Sequence, residues 1–378
     1  MLRIGIIGFG KRARSVWKTV SAYGLCTVAA IADPDWEALQ KEHGEALPDC
    51  VWYADGETML KEQAATLNGV ILATRCNLHT KLALLVAEYG LPLYLEKPVG
   101  ISEEELAQLE TISHMEEKTV VSFPLRLAQL VEVAKGYYDR GELGTLSQVQ
   151  AWNNVNYARG YYHDWYRDDS ITGGLFLQKS THDLDYINYM IGRAAPKTVC
   201  AMESKQIFRG DRPAGKLCKN CEERLTCPES QFNLAGYDPK YAKDHYQCSF
   251  AVDTGNHDSA TVMLQYEDGL HVVYTQNFVA RKSAGSRGAR LIGYKGTVEF
   301  DFNTKSVRFV DHMSDRVDRI TIDSTGSHSG GDRKLAKNFI DVMMGTDVSH
   351  SPLSQGILSA RMCLAAKKSA ETKTFVEF

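Results

Sequence analysis

Five short apolar runs, separated by amphipathic segments of helical length, begin within the first 122 residues. The runs are "LRIGII" (2 to 7), "TVAAIAD" (27 to 33), "GVILAT" (69 to 74), "LPLYLE" (91 to 96) and "KTVVSF" (118 to 123). Strands that are buried on both faces are continuously apolar, and parallel strands need helical crossovers between them. The alternation therefore predicts an α/β fold with a doubly wound parallel sheet.

From Gly141 onward the pattern changes to longer, alternating stretches such as "SQVQAWNNVNY" and "GTVEFDFNTKSVRFVD". A period of two predicts a mostly antiparallel sheet, and Glu267-Asp268-Gly269 predicts a hairpin turn. We therefore expect a first domain over residues 1–122 and a C-terminal α+β domain over 123–378. A stretch rich in charge, glycine and proline at about 204–250 is expected to form an insertion in the second domain.

Composition narrows the function classes. The 378 residues suit two or three domains, 44% of them are hydrophobic, and the net charge of -4 gives no general attraction to nucleic acid or anionic lipid. No apolar run approaches the roughly 20 residues needed to span a bilayer. The N-terminus begins a strand without a charged leader, which does not resemble a signal peptide. Five cysteines lie among apolar neighbours, as expected of reduced thiols: Cys26, Cys50, Cys76, Cys200 and Cys363. We expect a cytoplasmic protein that acts on a small molecule, without nucleic-acid or membrane partners.

A glycine-rich sequence joins the first apolar run to the following helix. Its members are Gly8, Phe9, Gly10, Lys11, Arg12 and Ala13, in a GxGxxA pattern. Such glycines allow a tight turn and close approach to a pyrophosphate at a helix N-terminus, which predicts a Rossmann dinucleotide-binding domain. Asp33, at the end of the second run, is predicted to bind ribose hydroxyls. Its carboxylate would repel a 2′-phosphate, which favours NAD over NADP, although Lys11 and Arg12 could offset the repulsion.

Two further apolar runs end in polar residues. The run at 69 to 74 continues into "ATRCNLH", and the run at 91 to 96 continues into "EKPVG". Ligands of open α/β sheets bind outside the carboxyl ends of the strands. We therefore expect these segments to contact the cofactor, through Thr74, Arg75, Asn77, His79, Glu96 and Lys97.

These motifs together resemble the glucose-fructose oxidoreductase / inositol dehydrogenase / rhizopine-catabolism (Gfo/Idh/MocA) family of NAD(P)-dependent oxidoreductases. The resemblance rests on the glycine loop, "ATRCNLH", Glu96-Lys97-Pro98, and Gly173-Gly174 leading to His182. It implies that Lys97 contacts cofactor and substrate, and that His182 exchanges a proton with the oxidised hydroxyl. It also fits a homodimer or homotetramer formed through the C-terminal sheet.

The segment before His182 departs from the commonest pattern of the family, which has an aspartate four residues before the histidine. Here that position is Gln178, with Lys179 beside it. The Lys-x-x-His-Asp variant resembles a subgroup often found acting on sugars or their glycosides. On a helical wheel of about 100° per residue, one arc holds Phe176, Leu177, Leu184, Ile187 and Ile191. The arc away from it holds Lys179, His182, Asp183 and Tyr186, which are predicted to face solvent or a cleft.

Oxidation of a secondary alcohol explains this cluster. A base must accept the hydroxyl proton while hydride leaves the carbon, and histidine has a suitable pKa. His182 is the predicted base. Lys97 is predicted to stabilise the developing alkoxide or, with a depressed pKa, to compete as the base. Lys179 and Asp183 are predicted to orient the substrate or tune this pair.

Substrate contacts are expected from the aromatic stretch "WNNVNYARGYYHDWYR" at 152 to 167. Sugars bind on aromatic faces, and charged or amide groups bind their hydroxyls. The candidates are Tyr157, His163, Trp165 and Arg167, with Arg126 after the last strand of the first domain. His328, in the polar, glycine-rich stretch "GSHSGGD", is a further candidate, although that stretch also suits a capped helix start.

Four cysteines fall within or beside "CKNCEERLTC": Cys218, Cys221, Cys227 and the later Cys248. A Cys-x2-Cys pair with two further cysteines can hold structural zinc and would staple the insertion. Free thiols, a disulfide and an iron-sulfur cluster remain alternatives.

The sequence thus predicts an NAD-dependent oxidoreductase acting on a secondary hydroxyl of a sugar, sugar derivative, glycoside or cyclitol. A redox glycoside hydrolase is an alternative, in which transient oxidation, commonly at C3, permits elimination of the aglycone. A non-catalytic NAD-binding sensor is a further alternative, but it gives no reason for Lys97 and His182 to accompany the glycine loop.

Overall fold

A computed structural model describes residues 1–233, 243–323 and 327–378. The chain forms two compact units. The first unit comprises Met1–Arg140, Thr181–Ala194 and Ile320–Leu364, and the second comprises Gly141–Ser180, Ala195–Arg319 and Ala365–Phe378. The boundary expected at residues 122/123 lies inside the first unit, which also takes segments from later in the chain. Residues 234–242 of the expected insertion and Gly326 of the loop before His328 lie outside the described residues.

The first unit holds a parallel sheet of six strands in the order β3-β2-β1-β4-β5-β6, which confirms the doubly wound prediction. The strands are β1 (Leu2–Ile7), β2 (Cys26–Ala32), β3 (Val51–Tyr53), β4 (Gly69–Leu72), β5 (Leu93–Leu95) and β6 (Thr119–Val121). β3 was not among the predicted runs, because it has only three residues and its first, Val51, is 46% exposed.

Six helices of the first unit follow or separate these strands. They are α1 (Lys11–Ser21), α2 (Trp36–His43), α3 (Gly56–Gln63), α4 (His79–Glu88), α5 (Glu103–Glu110) and α6 (Gln129–Asp139). Side-chain caps fix two of the starts: Asp55 accepts from the backbone nitrogen of Thr58, and Ser102 accepts from that of Glu105.

The next part of the chain passes from the second unit back into the first. It contains β7 (Leu146–Asn154), α7 (Gly160–His163), α8 (Asp169–Thr172), a π-helical segment (Phe176–Ser180) and α9 (Thr181–Ile191). In a π-helix the backbone hydrogen bonds run from residue i to i+5, so each residue turns less than in an α-helix. The segment thus shifts the faces of the helix relative to an α-helical wheel.

The second unit is built on a nine-stranded sheet in the order β14-β13-β12-β11-β7-β10-β9-β8-β15. The later strands are β8 (Thr198–Ser204), β9 (Ser259–Gln265), β10 (His271–Asn277), β11 (Ser286–Gly293), β12 (Gly296–Asp301), β13 (Ser306–Asp311), β14 (Val317–Thr321) and β15 (Val376–Glu377). β9 and β10 form the predicted hairpin, where Gly269 has φ 86°. The sheet is mostly antiparallel, as predicted, although β7 and β10 pair in parallel.

Two helices complete the fold, α10 (Gly331–Met344) and α11 (Leu353–Thr372). Leu335, Phe339 and Ile340 of α10 are fully buried and belong to the same core as strands β1, β2 and β4. At the start of α10, a Cβ on Gly331 would overlap the carbonyl oxygen of Pro124, so only glycine permits this close approach. The helix is thereby fixed against the segment after β6. Among the described residues, no helix is long and apolar enough to cross a membrane.

Candidate active site

The glycine loop between β1 and α1 forms an open cradle at a helix N-terminus. Gly8 has φ 81°, and a Cβ there would lie 2.8 Å from the carbonyl oxygen of Ala73. Gly10 precedes α1, makes no side-chain cap, and has nothing within 4 Å of a Cβ position. The first amide groups of α1 therefore face space that an anion can fill, and the loop fits the pyrophosphate of a dinucleotide.

Asp33 follows β2 and is fixed by two backbone amides. The nitrogen of Phe9 donates to Oδ2 at 2.7 Å, and the nitrogen of Asp35 donates to Oδ1 at 2.9 Å. Each carboxylate oxygen keeps a second lone pair. The carboxylate is therefore bound to the glycine loop and can still accept hydroxyl groups, which fits a ribose.

The other predicted loop residues divide between surface and core. Lys11 is exposed, whereas Phe9 and Ala13 are fully buried. The Phe9 ring lies 5.7 Å from the ring of Trp17 and 5.8 Å from that of Trp52. The Phe9 side chain thus packs in the core, while its backbone amide donates to Asp33.

The segment after β4 has an exposed part and a buried anchor. Arg75 and Asn77 are exposed, and Thr74 is partly exposed. His79 is 1% exposed, with Nδ1 2.7 Å from the carbonyl oxygen of Pro98 and Nε2 3.3 Å from that of Thr74. Burial lowers the pKa of His79, so the ring is neutral near pH 7. His79 therefore joins the segment after β4 to the segment after β5 by hydrogen bonds in the interior.

Arg12 is engaged within the protein. Its Nε donates to Glu96 at 2.6 Å, and its Nη2 donates to Ser122 at 2.9 Å and to Asp332 at 3.1 Å. Burial opposes the charge on Arg12, but Glu96 and Asp332 raise its pKa above the ordinary value. The guanidinium thus ties α1 to the end of β5 and to α10.

Lys97 lies two residues after β5 and is partly exposed, next to a cis peptide bond with Pro98. Burial raises the pKa of the Cys363 thiol, Asp183 raises it further, and Lys97 opposes the rise. Lys97 and Asp183 thus both influence the charge of this sulfur, and all three residues belong to the first unit.

His182, in the first turn of α9, is also partly exposed. Its ring centre lies 5.9 Å from that of Phe123 and 5.9 Å from that of His328. Nδ1 of His182 is buried, while the residue as a whole is partly exposed. The predicted base thus lies at the surface of the first unit with its Nδ1 directed inward.

The helical-wheel prediction for this segment was wrong in part. Lys179, Asp183 and Tyr186 are 5%, 0% and 0% exposed, so they do not form a solvated face. The π-helical segment changes the angular step, and α9 is also enclosed by its neighbours, since Ser359 of α11 donates to the Thr181 carbonyl at 2.7 Å. Of the four residues, His182 alone reaches the surface to an intermediate degree.

Lys179 belongs to the second unit and is surrounded by aromatic side chains. Its Nζ donates to the Tyr157 hydroxyl at 2.6 Å and lies 4.8 Å from the ring centre of Tyr161. Burial alone would lower the pKa of Lys179, but Tyr161 and Tyr157 hold it above its ordinary value. The raised pKa favours the charged form of Lys179. Tyr157 is 61% exposed, so the hydrogen-bonded pair of Lys179 and Tyr157 reaches solvent through Tyr157.

Two further candidates for substrate binding make buried contacts that stabilise the fold. Arg126 pairs with Asp185 inside the first unit and donates to the His350 carbonyl at 3.1 Å. Arg167 donates to Asp253 at 2.6 Å and to Thr254 at 2.8 Å. The structure thus uses both guanidinium groups to hold segments of the chain together.

The remaining two candidates lie in the second unit. Both ring nitrogens of His163 lie within 2.7 Å of carbonyl oxygens, those of Gln247 and Glu229. His163 is 1% exposed and anchors the insertion. Trp165 is partly exposed and stacks on Tyr166 with ring centres 3.8 Å apart. Trp165 thus keeps the flat apolar surface expected of a sugar-binding side chain.

The four cysteines of the insertion line one small pocket together with His163. All four are free thiols, and Cys218 Sγ lies 3.8 Å from Nδ1 of His163. Within the described ranges, however, no group of three or more His, Cys, Asp or Glu residues could hold a metal ion. The predicted proximity of Cys218, Cys221, Cys227 and Cys248 is present, but the structure does not support the predicted zinc.

Family comparisons agree with this geometry. Residues 2–123 match the profile of the NAD-binding Rossmann fold of the GFO_IDH_MocA oxidoreductase family, and residues 138–378 match that of its C-terminal alpha/beta domain. The chain belongs to the Gfo/Idh/MocA family. The predicted class, an NAD(P)-dependent oxidoreductase acting on CH-OH groups, is thereby confirmed.

Individual relatives of this Gfo/Idh/MocA protein are distant. The rhizopine catabolism protein MocA of Rhizobium meliloti is 25% identical over 55% of this chain and 62% of its own length. Inositol 2-dehydrogenase of Rhizobium meliloti (strain 1021) is 24% identical over 57% of this chain and 62% of its own length. A solved levoglucosan dehydrogenase, in complex with NADH and levoglucosan, superposes with a TM-score of 0.77 at 17% identity, over 100% of this chain and 98% of the other. That likeness confirms the fold.

Two residues near the predicted site were missed in the sequence. Asp332 accepts from both Arg12 and His328, and the pKa of Cys363 is affected by Lys97 and Asp183. His328 and Asp332 are four residues apart at a helix start, and this spacing could have indicated the contact between them. No local signal links Cys363 to residues more than 170 positions earlier.

Proposed function

We propose that this oxidoreductase oxidises a secondary hydroxyl of a sugar, sugar derivative, glycoside or cyclitol, with NAD as the cofactor. Bound NAD supplies the acceptor for the hydride. The observation that carries the proposal is that His182 and Lys97, both partly exposed, lie in the unit that holds the glycine loop and Asp33. A proton acceptor and a cation beside a nucleotide site are what alcohol oxidation requires.

His182 accepts the proton of the substrate hydroxyl at Nε2. Its Nδ1 is buried, and Phe123 lies beside the ring, so the imidazole is held in one orientation. A fixed base avoids the cost of reorganisation when the proton moves. His182 is therefore the general base of the proposed reaction, and it returns the proton when the reaction runs backward.

Lys97 places a positive charge where the substrate oxygen becomes negative. The charge of Lys97 opposes the rise in the pKa of the Cys363 thiol. Its backbone is joined to the Glu96–Arg12 pair and to the carbonyl of Pro98 that His79 contacts. These contacts restrict where Lys97 can move. A preorganised cation stabilises the transition state more than a mobile one, because less rearrangement is needed as charge develops.

Hydroxyl recognition in the second unit is proposed for the Lys179–Tyr157 pair and for Trp165. The cation of Lys179 is shielded by two aromatic rings, and Tyr157 is largely exposed. Aromatic faces suit the C-H surfaces of a sugar ring, and a cation or phenol suits its hydroxyls. The names of inositol 2-dehydrogenase and levoglucosan dehydrogenase support a cyclitol or sugar substrate.

The test is a screen of sugars, cyclitols and aryl glycosides in which NADH and released aglycone are both measured. NADH formed in proportion to an oxidised product supports the proposal. Aglycone released without net NADH identifies the redox glycoside hydrolase instead. Tight NAD binding without turnover on any member of a broad panel would indicate the non-catalytic sensor. His182→Gln serves as the matched control, since any genuine turnover should fall with it.

We further propose that the chain assembles as a homodimer or homotetramer through the open face of the nine-stranded sheet. The burial of β9 alternates along the strand, and Met202 and Met263 are 73% and 41% exposed on β8 and β9. Large exposed apolar side chains on a sheet face often mark an interface. Light scattering should show a mass of two or four chains, and Met263→Glu should reduce it, whereas Met313→Glu should not.

A further inference from the structure

His328 is fixed by a carboxylate. Its Nδ1 lies 2.6 Å from Oδ2 of Asp332, and the other oxygen of Asp332 accepts from Arg12 at 3.1 Å. Because an ionised carboxylate only accepts, Nδ1 of His328 carries a proton and donates it to this bond. The neutral ring therefore has its unprotonated nitrogen at Nε2, which is the nitrogen that can accept a further proton.

The backbone around His328 is strained. His328 has φ 49° and ψ 38°, and Ser329 has φ 50° and ψ 43°, both in the left-handed region. A non-glycine residue in this region is unfavourable and persists where the surrounding structure requires it. Here the unusual turn places the His328 ring beside Asp332, four residues further along. A loop that only needed to start α10 would not require two consecutive left-handed residues without glycine.

The second ring near His328 is the proposed base. The ring centres of His182 and His328 are 5.9 Å apart, with 37° between their planes. The two imidazoles are therefore neighbours within the first unit. Neighbouring imidazoles can exchange a proton directly or through a hydroxyl or water between them.

We propose that His328, oriented by Asp332, is a proton-relay residue that takes from His182 the proton released by the substrate hydroxyl. This inference rests on the proposed function. The O-H and C-H bonds of the alcohol break, a C=O bond forms, the hydride leaves with the cofactor, and the proton goes to Nε2 of His182. It then passes to Nε2 of His328, which restores the neutral base, and the Asp332 carboxylate stabilises the His328 imidazolium. The proton leaves to solvent, since the His328 side chain is 30% exposed.

This role differs from the substrate contact first expected of His328. A contact residue would change substrate affinity, whereas a relay residue changes the rate at which His182 is regenerated. It also differs from a purely structural pair, because the His328–Asp332 bond could hold α10 without any effect on proton transfer. Two variants and one spectroscopic measurement separate these possibilities.

The first test compares His328→Gln and His328→Ala in steady-state turnover. Glutamine can still donate to Asp332 but cannot carry a proton. We expect turnover to fall about tenfold or more in both variants, with NAD affinity unchanged. Added imidazole should restore turnover partly in His328→Ala, because it can occupy the vacated space and carry the proton. Lys337→Gln, elsewhere on α10, is the matched control and should leave turnover unchanged.

The second test needs no cofactor. Nitrogen-15 NMR of the imidazole groups should show neutral His328 protonated at Nδ1, and Asp332→Asn should abolish that preference. A proton on Nε2 of His328 in the unmodified protein would overturn the relay. So would a His328→Gln enzyme that keeps at least half of its turnover, or a His328→Ala enzyme that imidazole does not rescue. If the unmodified protein oxidises no substrate, the proposed function fails instead, and the NMR result still decides how His328 is held.

Discussion

The guanidinium of Arg12 donates to the carboxylate of Glu96 at 2.6 Å, across 84 positions of sequence. Arg12 lies in the first turn of α1, directly after the glycine loop, and Glu96 immediately precedes Lys97. The ion pair therefore joins the nucleotide-binding loop to the segment that carries the proposed electrostatic catalyst. A change in this pair should affect stability and the position of Lys97 together.

Glu96→Gln should destabilise the first unit by about 1.5 to 3 kcal/mol. The substitution removes the charged acceptor of Arg12, and hydrogen bonds to charged groups are worth about that much. Urea unfolding of the cofactor-free protein measures the change. Glu110→Gln is the control: its partner is Arg361, the side chain is 52% exposed, and the effect should stay below about 1 kcal/mol. Equal effects of the two substitutions would contradict a special role for the Arg12–Glu96 pair.

Asp33→Ala should weaken NAD binding about tenfold or more, because charge-assisted hydrogen bonds to the ribose are lost. The unmodified protein should also bind NAD well ahead of NADP. Calorimetric titration measures both affinities. Asp35→Ala removes an exposed carboxylate two residues away and should leave NAD affinity nearly unchanged. Equal affinities of the unmodified protein for NAD and NADP would sink the assignment of Asp33.

His182→Ala should reduce turnover by at least about 100-fold while NAD binding stays nearly intact, since general base catalysis typically contributes about 10² to 10⁴-fold. Steady-state kinetics on a substrate found in the screen, with a separate NAD titration, gives both numbers. A His182→Ala enzyme that kept most of its turnover would falsify the proposed base.

Lys97→Ala should also lower turnover, and here some affinity for substrate or cofactor should be lost as well. A cation near the substrate oxygen acts in the ground state and in the transition state. The kcat and KM values of Lys97→Ala and Lys97→Arg separate the two effects. If neither value changes in Lys97→Ala, the ammonium group has no part in the reaction.

Stability should fall as the pH drops below the ordinary histidine pKa of 6.5, partly because of His79. Burial lowers the pKa of His79 in the folded protein, so below pH 6.5 the unfolded chain binds a proton that the folded chain does not. The contribution is complete above pH 6.5 and is lost as the pH falls. Urea unfolding across this range should show a smaller pH slope for His79→Gln than for the exposed control His114→Gln. Identical slopes would mean that His79 binds its proton equally well in both states.

The sequence was most informative where one chain segment acts alone. The apolar runs of β1, β2 and β4 and the glycine loop before α1 are local patterns. Each of these strands is present, and β2 and β4 end one and two residues before the predicted ends. β3 escaped prediction because three residues are too few to show a period. The helical wheel failed around Lys179 because it assumes a constant angular step, which the π-helical segment before α9 breaks.

What the sequence by itself determined is the fold class, the nucleotide loop and the residue types needed for hydride chemistry, because each follows from spacing within one segment. Only the tertiary structure decided which polar residues are engaged. Arg12, Arg126 and Arg167 looked available for ligands, yet each makes an ion pair with a residue between 59 and 320 positions away. Asp332 looked like part of a helix start, yet it holds His328 beside His182. Such roles depend on which distant segments of the chain come into contact. Long-range packing determines those contacts, and local propensity does not.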